Sequence, residues 1–297
     1  MNIRQETPAD YRAAETLTRE AFWNVYRPGC TEHFVLHRYR TDPAFIPELS
    51  LVMEDDDGRL VGHVMFSKAS LALPDGTTFP IWTFGPISVR PDCQRRGLGL
   101  RLLLHALGKA RALGIGALCM EGNIDFYKHA GFGLASALRI HYHDEPTDAE
   151  VPYFLAQELL PGYLRGMEGT YTPPRGYFVA DEDPAAFAAY EAAFPPKTKT
   201  LRPGQLPQFC QSCGMPLVQN ADCATAPDGT PDFDYCRHCR ASGRFTFDGT
   251  MEEMAERCLA FLPQVNAHLP APMTPAAYRQ HLLTLLPRLK RWRPPRP

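Results

Sequence analysis

The sequence predicts an α+β chain in two parts: a domain built on a mixed, mostly antiparallel sheet flanked by helices, and a small cysteine-rich module with a helical tail. Three observations carry this. Up to about residue 160 the periodic segments run as helices, an antiparallel meander, a helix, a strand, a short helix and further strands, which is not the regular alternation of a doubly wound sheet. Four cysteines between residues 210 and 239 form two Cys-x-x-Cys pairs. Much of the chain's complement of 29 prolines lies beyond residue 150, where loops and linkers are therefore expected.

A length of 297 residues is enough for two domains. Hydrophobic residues at 44% and charged residues at 22% are ordinary for a globular chain. A net charge of −2 gives no global field favouring nucleic acid or membrane. The apolar run at 102–104 is soon broken by His105 and Lys109, so no membrane partner is expected. Residues 1–6 lack an apolar signal core, and a cytoplasmic location is expected.

The first helix opens at Thr7-Pro8-Ala9-Asp10, with Thr7 as cap, Pro8 in the first turn and Asp10 completing the arrangement. Ala14, Leu17, Ala21 and Phe22 then recur at helical spacing. A second helix spans about 31–40. Residues 49–54 and 60–67 read as strands joined by the turn Asp55-Asp56-Asp57-Gly58. Residues 70–73 read as a third strand and 82–89 as a fourth, whose Gly85-Pro86 implies a bulge. A helix follows to about residue 113, then a buried strand at 117–120, a short helix at 125–129, strands at 137–142 and 153–158, and a helix near 182–193. Residues 195–204 make a proline-rich linker. Helices opening at the capping box Thr250-Met251-Glu252-Glu253 and at Thr274-Pro275 close the chain.

Two motifs carry chemistry. Gln94-Arg95-Arg96-Gly97-Leu98-Gly99 sits between a strand and a helix, where successive backbone N–H groups make a cradle for phosphate oxygens. Glycine lets the backbone approach the ligand, and Arg95 and Arg96 add positive charge. Such a turn taken alone is as readily structural. The second motif is Cys210-Gln211-Ser212-Cys213, then 22 residues, then Cys236-Arg237-His238-Cys239. In a reducing compartment two such knuckles suit a closed tetrahedral zinc site of four thiolates, structural because no coordination position stays open. Cys223 and His238 stand near as alternative ligands. Arg288, Lys290, Arg291, Arg293 and Arg296 surround Trp292 in a basic tail that reads either as solvated or as a contact for nucleic acid or an acidic protein.

The stretch from Gly85 through Val89 and Gln94 to Gly99 resembles the acetyl-CoA motif of the GNAT superfamily, and Glu121-Gly122-Asn123-Ile124-Asp125-Phe126-Tyr127 with Gly131-Phe132 resembles its second hallmark. Residues 42–52 resemble a bacterial subgroup of predicted acetyltransferases. Cys93, Ala130 and Ile124 stand where other residues are common in the family. The resemblance implies a GNAT fold over about 1–150. It implies acetyl-CoA held by Ile87, Ser88, Val89, Gln94, Arg95, Arg96, Gly97, Leu98, Gly99 and Leu100, with Asn123 orienting it or capping a helix. It implies an unknown amine acceptor attacking the thioester directly, with Tyr127 as general acid. By its spacing alone Tyr127 reads as a packing aromatic. Glu48, Glu121, Glu32 and His33 are candidate bases, none assigned. Residues 208–262, from Phe209-Cys210 through Thr250-Met251-Glu252-Glu253-Met254, resemble a bacterial zinc-ribbon family, which implies Zn²⁺ binding without a reaction.

The expected organisation is an acetyltransferase domain at 1–195, a linker at 196–207, the four-cysteine ribbon at 208–262 and a helical basic tail at 263–297. The rival reading is an acetyl-CoA-sensing protein whose ribbon recognises nucleic acid or protein; a transferase of another acyl group is the third.

Overall fold

The computed structural model describes residues 1–293, so Arg296 of the basic tail lies outside the described residues. The chain divides into two compact units. One comprises Met1–Trp23 and Cys30–Pro196, the other Asn24–Gly29 and the chain from Lys197 onward.

The first unit begins with β1 (Asn2–Gln5), then α1 (Tyr11–Phe22) and α2 (Glu32–Tyr39). Asp10 accepts from both the N–H (2.8 Å) and the hydroxyl (2.7 Å) of Thr7, as the opening motif requires. The meander is β2 (Leu51–Glu54), β3 (Leu60–Ala72) and β4 (Thr78–Val89), followed by α3 (Leu98–Ala112), β5 (Ala117–Glu121) and α4 (Ile124–Tyr127). Then come β6 (Gly133–Leu134), β7 (Ile140–Tyr142), β8 (Phe154–Glu158), β9 (Gly169–Tyr171), α5 (Val179–Glu182) and α6 (Pro184–Glu191). The sheet runs β1-β2-β3-β4-β5-β8-β6, with β9 bridging β3 and β7. Its pairings are antiparallel except β4 with β5 and β7 with β9.

Where this differs from the sequence reading, the cause is non-local pairing. β1 holds one aliphatic residue, Ile3, and is secured by Arg4, which reaches Asp10 and Glu54 at 2.7 and 2.5 Å. The two expected strands at 60–67 and 70–73 are one, because Ser67 and Lys68 stay in register with Thr83 and Trp82 of β4 across the polar interruption. Residues 135–138 form a helical turn rather than strand, ended by Arg139 at φ +58°. The three-residue β9 carries no local signal; it exists through its partners Leu71, Ala72 and Ile140 to Tyr142.

Apolar residues fill both faces of the sheet. Leu102, Leu103, Ala106 and Leu107 of α3 pack on Phe66, Phe84, Leu118 and Met120. On the opposite face Ala14, Val35, Leu36 and Tyr39 cover Met65, while Leu71, Ile81, Cys119, Phe154 and Tyr171 extend the core. A buried aliphatic side chain contributes roughly 1.5–3 kcal/mol. Charges are buried here too. Arg40, at the end of α2, bridges Glu6 (2.7 Å) and Glu15 of α1, and the Ser50 hydroxyl donates to Glu6 at 2.7 Å. Burial pushes the Glu6 carboxyl up, but His63 and Arg40 outweigh it and hold it at about 2.

In the second unit, Asn24 is the anchor of the segment Asn24–Gly29. Its side-chain oxygen accepts from Gly29 (2.8 Å) and Thr200 (3.1 Å), and its amide donates to the Thr198 carbonyl at 3.0 Å. Leu206 N–H donates to the Tyr26 carbonyl at 2.9 Å, so residues read as linker are hydrogen-bonded at both ends. Three two-stranded hairpins follow, Gln208–Phe209 with Pro216–Leu217, Cys223–Thr225 with Pro231–Cys236, and Arg240–Ala241 with Arg244–Phe245. Then come α7 (Met251–Cys258), opened by the predicted capping box, α8 (Leu262–Asn266) and α9 (Pro275–Leu285). Among the described residues no helix is long and apolar enough to cross a membrane.

Replacing Arg40 by Met removes the guanidinium shared by two buried carboxylates, leaving Glu6 to His63 and Glu15 to His37 and Arg12; urea denaturation followed by an α-helical signal should show a loss of about 3 kcal/mol in the first unit. Because the Glu6 carboxyl is held below its ordinary value of 4.5 in the fold, its contribution is complete above that pH and is lost as pH falls toward 2. Acid titration of the Glu6→Gln chain should therefore show a shallower fall over that window than the native chain.

Candidate functional site

β4 and β5 are neighbours in the sheet but pair at a single position, Trp82 with Leu118. Beyond it the two parallel strands separate, leaving the far half of β4 with one open edge. The N–H of Arg90 donates to Val61 on the β3 side at 2.9 Å. By the two-residue alternation of a strand, Ile87 and Val89 then aim their backbone groups toward the open edge, and Ser88 toward β3. The Ser88 hydroxyl donates to Thr18 of α1 at 3.0 Å. Gln94 donates its side-chain amide to the Val89 carbonyl at 3.0 Å, tying the turn to the strand end.

From there the chain enters the turn of residues 94–99. Arg95 and Gly97 adopt left-handed backbone conformations at φ +60° and +77°. Gly97 caps α3, and glycine takes this conformation without steric cost. The backbone N–H groups of residues 95–100 make no hydrogen bond among the described residues, and the first internal bond of the helix is Arg101 to Gly97 at 3.0 Å. The first turn carries no acidic side chain. This is a solvent-facing row of donors at the positive end of a helix, next to the open edge of β4.

Tyr127 ends α4 on the same side. Its ring meets Phe126 edge-on at 4.8 Å and lies 5.8 and 5.9 Å from Phe84 and Phe132. Gly122 makes room for it: a Cβ there would lie 2.3 Å from the ring. Tyr127 is thus well packed, as its spacing alone suggests, while remaining beside the gap. Asn123 is the cap of α4, accepting from the Asp125 N–H at 2.9 Å, so its side-chain oxygen is engaged structurally.

In the second unit the four sulfurs of Cys210, Cys213, Cys236 and Cys239 all lie within 4.8 Å of one another. Cys213 and Cys236 are 3.8 Å apart. A tetrahedron with metal–sulfur bonds of about 2.3 Å has edges of about 3.8 Å, so the donor set fits zinc. The first knuckle is closed by Gly214 donating to the Cys210 carbonyl at 2.8 Å. The Cys236 N–H points at the Cys210 sulfur at 3.2 Å. Cys223 and His238 stay outside the cluster: Cys223 faces the Gln219 carbonyl, and the His238 ring packs near Phe261.

Residues 15–132 match the model of the acetyltransferase (GNAT) family. The first unit thus contains a region similar to the GNAT acetyltransferase family. Residues 209–293 match the family described as "Putative zinc ribbon domain", a range that takes in the terminal helices as well as the knuckles. The chain is 29% identical over 136 residues, 46% of its length and 75% of the relative's, to the "Uncharacterized N-acetyltransferase YhbS" of Escherichia coli. It shares the fold of the crystal structure of the Escherichia coli GNAT family N-acetyltransferase YhbS in complex with CoA, with a TM-score of 0.51 and 23% identity over 59% of this chain and 91% of that one. A Brucella melitensis GNAT family acetyltransferase in complex with acetyl-CoA aligns at a TM-score of 0.47 and 24% identity, over 59% and 97%.

The candidate bases of the first unit fare unequally. Glu32 accepts from the Cys30 thiol and the Thr31 N–H, and His33 is buried against Glu191, with Nε2 2.8 Å from the carboxylate. Glu48 is exposed on the turn before β2. Glu121, at the end of β5, accepts from the Tyr142 hydroxyl at 2.7 Å. Of these, Glu121 alone stands on a strand bordering the gap.

The ribbon's basic tail is not merely solvated. Trp292 donates its indole N–H to the Ser212 carbonyl at 2.7 Å, and Arg291 reaches the Ser212 hydroxyl at 3.0 Å and the Phe247 carbonyl at 2.5 Å. Lys290 pairs with Asp234 at 2.9 Å. Ser212 is buried between the first two cysteines, so the tail straps the knuckle. Nothing local in the sequence marks that strap; it becomes legible only when residues some 80 positions apart meet.

Elemental analysis of the purified protein should find one zinc per chain, and Cys236→Ser should abolish it. Trp292→Ala should leave the metal stoichiometry intact but speed its transfer to a competing chelator about tenfold or more, since it removes the strap without touching a thiolate.

Proposed function

We propose that the first unit transfers an acetyl group from acetyl-CoA to an amine by direct attack, and that the zinc ribbon is a structural module. The observation carrying this reading is the row of unbonded N–H groups at residues 95–100 opening beside the divergence of β4 from β5. A pyrophosphate placed on that row meets aligned donors and the helix dipole, with Gln94, Arg95 and Arg96 at the rim. An amide-bearing arm running from it along β4 meets the backbone groups of Ile87 and Val89, with Ser88 held on the other edge. Gly97, Leu98, Gly99 and Leu100 form the turn of the helix on which the phosphates lie. The structure named as a CoA complex, whose fold the first unit shares, supports the same assignment for this chain.

In the reaction the amine nitrogen bonds to the thioester carbonyl carbon and the carbon–sulfur bond breaks. The amine proton passes to solvent, and the departing thiolate takes a proton from Tyr127. Its phenol hydroxyl is the proton donor for that step, and solvent restores the proton. Asn123 acts here through α4, whose first turn it caps and which carries Tyr127. An acetyl-CoA sensor would share the same binding surface; it differs in lacking turnover. A thiolate-bound metal centre suits a reducing cytoplasm.

Gly97→Asp introduces bulk, strain and negative charge into the cradle. Calorimetry on the folded variant should show acetyl-CoA affinity reduced about a hundredfold or more, and unchanged affinity would put the phosphates elsewhere. Tyr127→Phe keeps the ring contacts with Phe84 and Phe132. It should bind acetyl-CoA normally while thiol release in the presence of an accepted amine falls about tenfold or more, about 1.4 kcal/mol of barrier. Wild-type turnover in that variant would leave Tyr127 a packing residue.

A further inference from the structure

The face of the sheet opposite α3 carries a cluster of hydroxyl groups that neither the family motifs nor the cradle account for. Ser67 of β3 and Thr83 of β4 stand directly across from each other in the ladder. Their side chains therefore share a face, with Cβ atoms about 4.5–5.5 Å apart. Thr83 precedes Phe84, whose ring packs toward Tyr127, so strand alternation sends Thr83 to the other side of the gap. Tyr39 of α2 covers this spot. Tyr177 reaches it from a helical turn at Arg175–Phe178, well beyond the matched residues 15–132. The two rings lie 5.0 Å apart. The Tyr177 hydroxyl donates to the Gly85 carbonyl at 3.2 Å, next to where β4 leaves β5.

Two members of this cluster are unusual. The Tyr39 hydroxyl and the Ser67 hydroxyl are fully buried and find no hydrogen-bond partner among the described residues. Leaving such a group unsatisfied is costly, and a fold retains it where something else makes the bond. Burial pushes the Tyr39 phenol up to about 12 and that of Tyr177 well above its ordinary value, so both hold their protons; Tyr177 gives its own to the Gly85 carbonyl, and Tyr39 has one to donate.

We propose that the hydroxyls of Tyr39, Ser67, Thr83 and Tyr177 form the subsite for the acceptor's attacking nitrogen, and that the acceptor is a primary amine bound there in its neutral form. The inference rests on the acetyl-transfer reading above. A neutral amine offers one lone pair and two N–H donors, and hydroxyls can both donate to the first and accept from the second. A buried cluster of uncharged hydroxyls disfavours an ammonium, which is the unreactive form. The attacking nitrogen would then approach the thioester from the face opposite Tyr127, where the sulfur departs. Tyr177 is a positioning residue, holding the Gly85 carbonyl and with it the strand along which the thioester arm lies.

The test compares the full-length native chain with Ser67→Ala, Tyr39→Phe and Tyr177→Phe, using acetyl-CoA calorimetry, thermal melting, and thiol release with a library of primary amines and with water alone. Ser67→Ala and Tyr39→Phe each delete an unsatisfied buried hydroxyl, so the melting temperature should hold or rise. Acetyl-CoA affinity should stay within about twofold, while amine-dependent kcat/KM falls about tenfold, mainly through the KM for the amine. Tyr177→Phe should lower kcat for the amine instead. A melting temperature that holds with unchanged kinetics in all three variants overturns the subsite and leaves acetyl transfer standing. A native chain that binds no acetyl-CoA, or binds it and acetylates no amine, overturns both.

Discussion

Everything in the first unit is organised by the parting of β4 from β5 after the Trp82–Leu118 pair. A sheet normally satisfies each backbone group through its neighbour strand, and an unpaired interior edge is costly unless something replaces that partner. Here the far half of β4 keeps β3 on one side and faces an opening on the other. α3 begins beside that opening with its first donors unbonded, and Tyr127 and the hydroxyl cluster of Tyr39, Ser67, Thr83 and Tyr177 lie on opposite faces of it. One missing ladder thus leaves the opening in which the proposed acetyl-CoA would lie, between Tyr127 and the hydroxyl cluster.

Keeping such an edge open requires a rigid surround. The faces of the sheet are filled by α3 on one side and by α1, α2 and the segment after β9 on the other, and the buried Glu6–Arg40–Glu15 bridge ties α2 to α1 and to the segment following β1. That bridge is a specific rather than cheap way to join elements. A buried ion pair gains little net energy over apolar packing but penalises every arrangement that leaves one partner alone. It fixes the position of α2, and with it the place of Tyr39.

The second unit solves a different problem. Its hairpin strands are two to six residues long and its knuckle region is rich in aspartate, so the apolar surface available to it is small. Four thiolates around one ion substitute for a core, and Met254, Leu282, Leu286 and Leu289 from the terminal helices pack around the cysteines. The strap of Arg291 and Trp292 on Ser212 completes the enclosure. This explains why the family match runs to residue 293 instead of ending after the hairpins.

Signals that are local in the chain were legible without the structure. The helix starts at Thr7, Thr250 and Thr274, the Gln94–Gly99 turn before α3, and the paired Cys-x-x-Cys knuckles each depend on residues within a few positions of one another, and each is found where expected, while the meander is found with two of its expected strands merged into β3. What only tertiary structure decided joins distant residues. β1 and β9 are strands because of partners some 30 to 100 residues away, Arg40 and Glu6 are buried because they meet, and the basic tail is a strap because Ser212 receives it. Tyr177 has no motif around it, and its hydroxyl gains meaning only through the Gly85 carbonyl, 92 positions earlier. Periodicity and spacing report the short-range geometry of a backbone, whereas these contacts follow from which surfaces the collapsed chain leaves to pair, and no stretch of sequence carries that information alone.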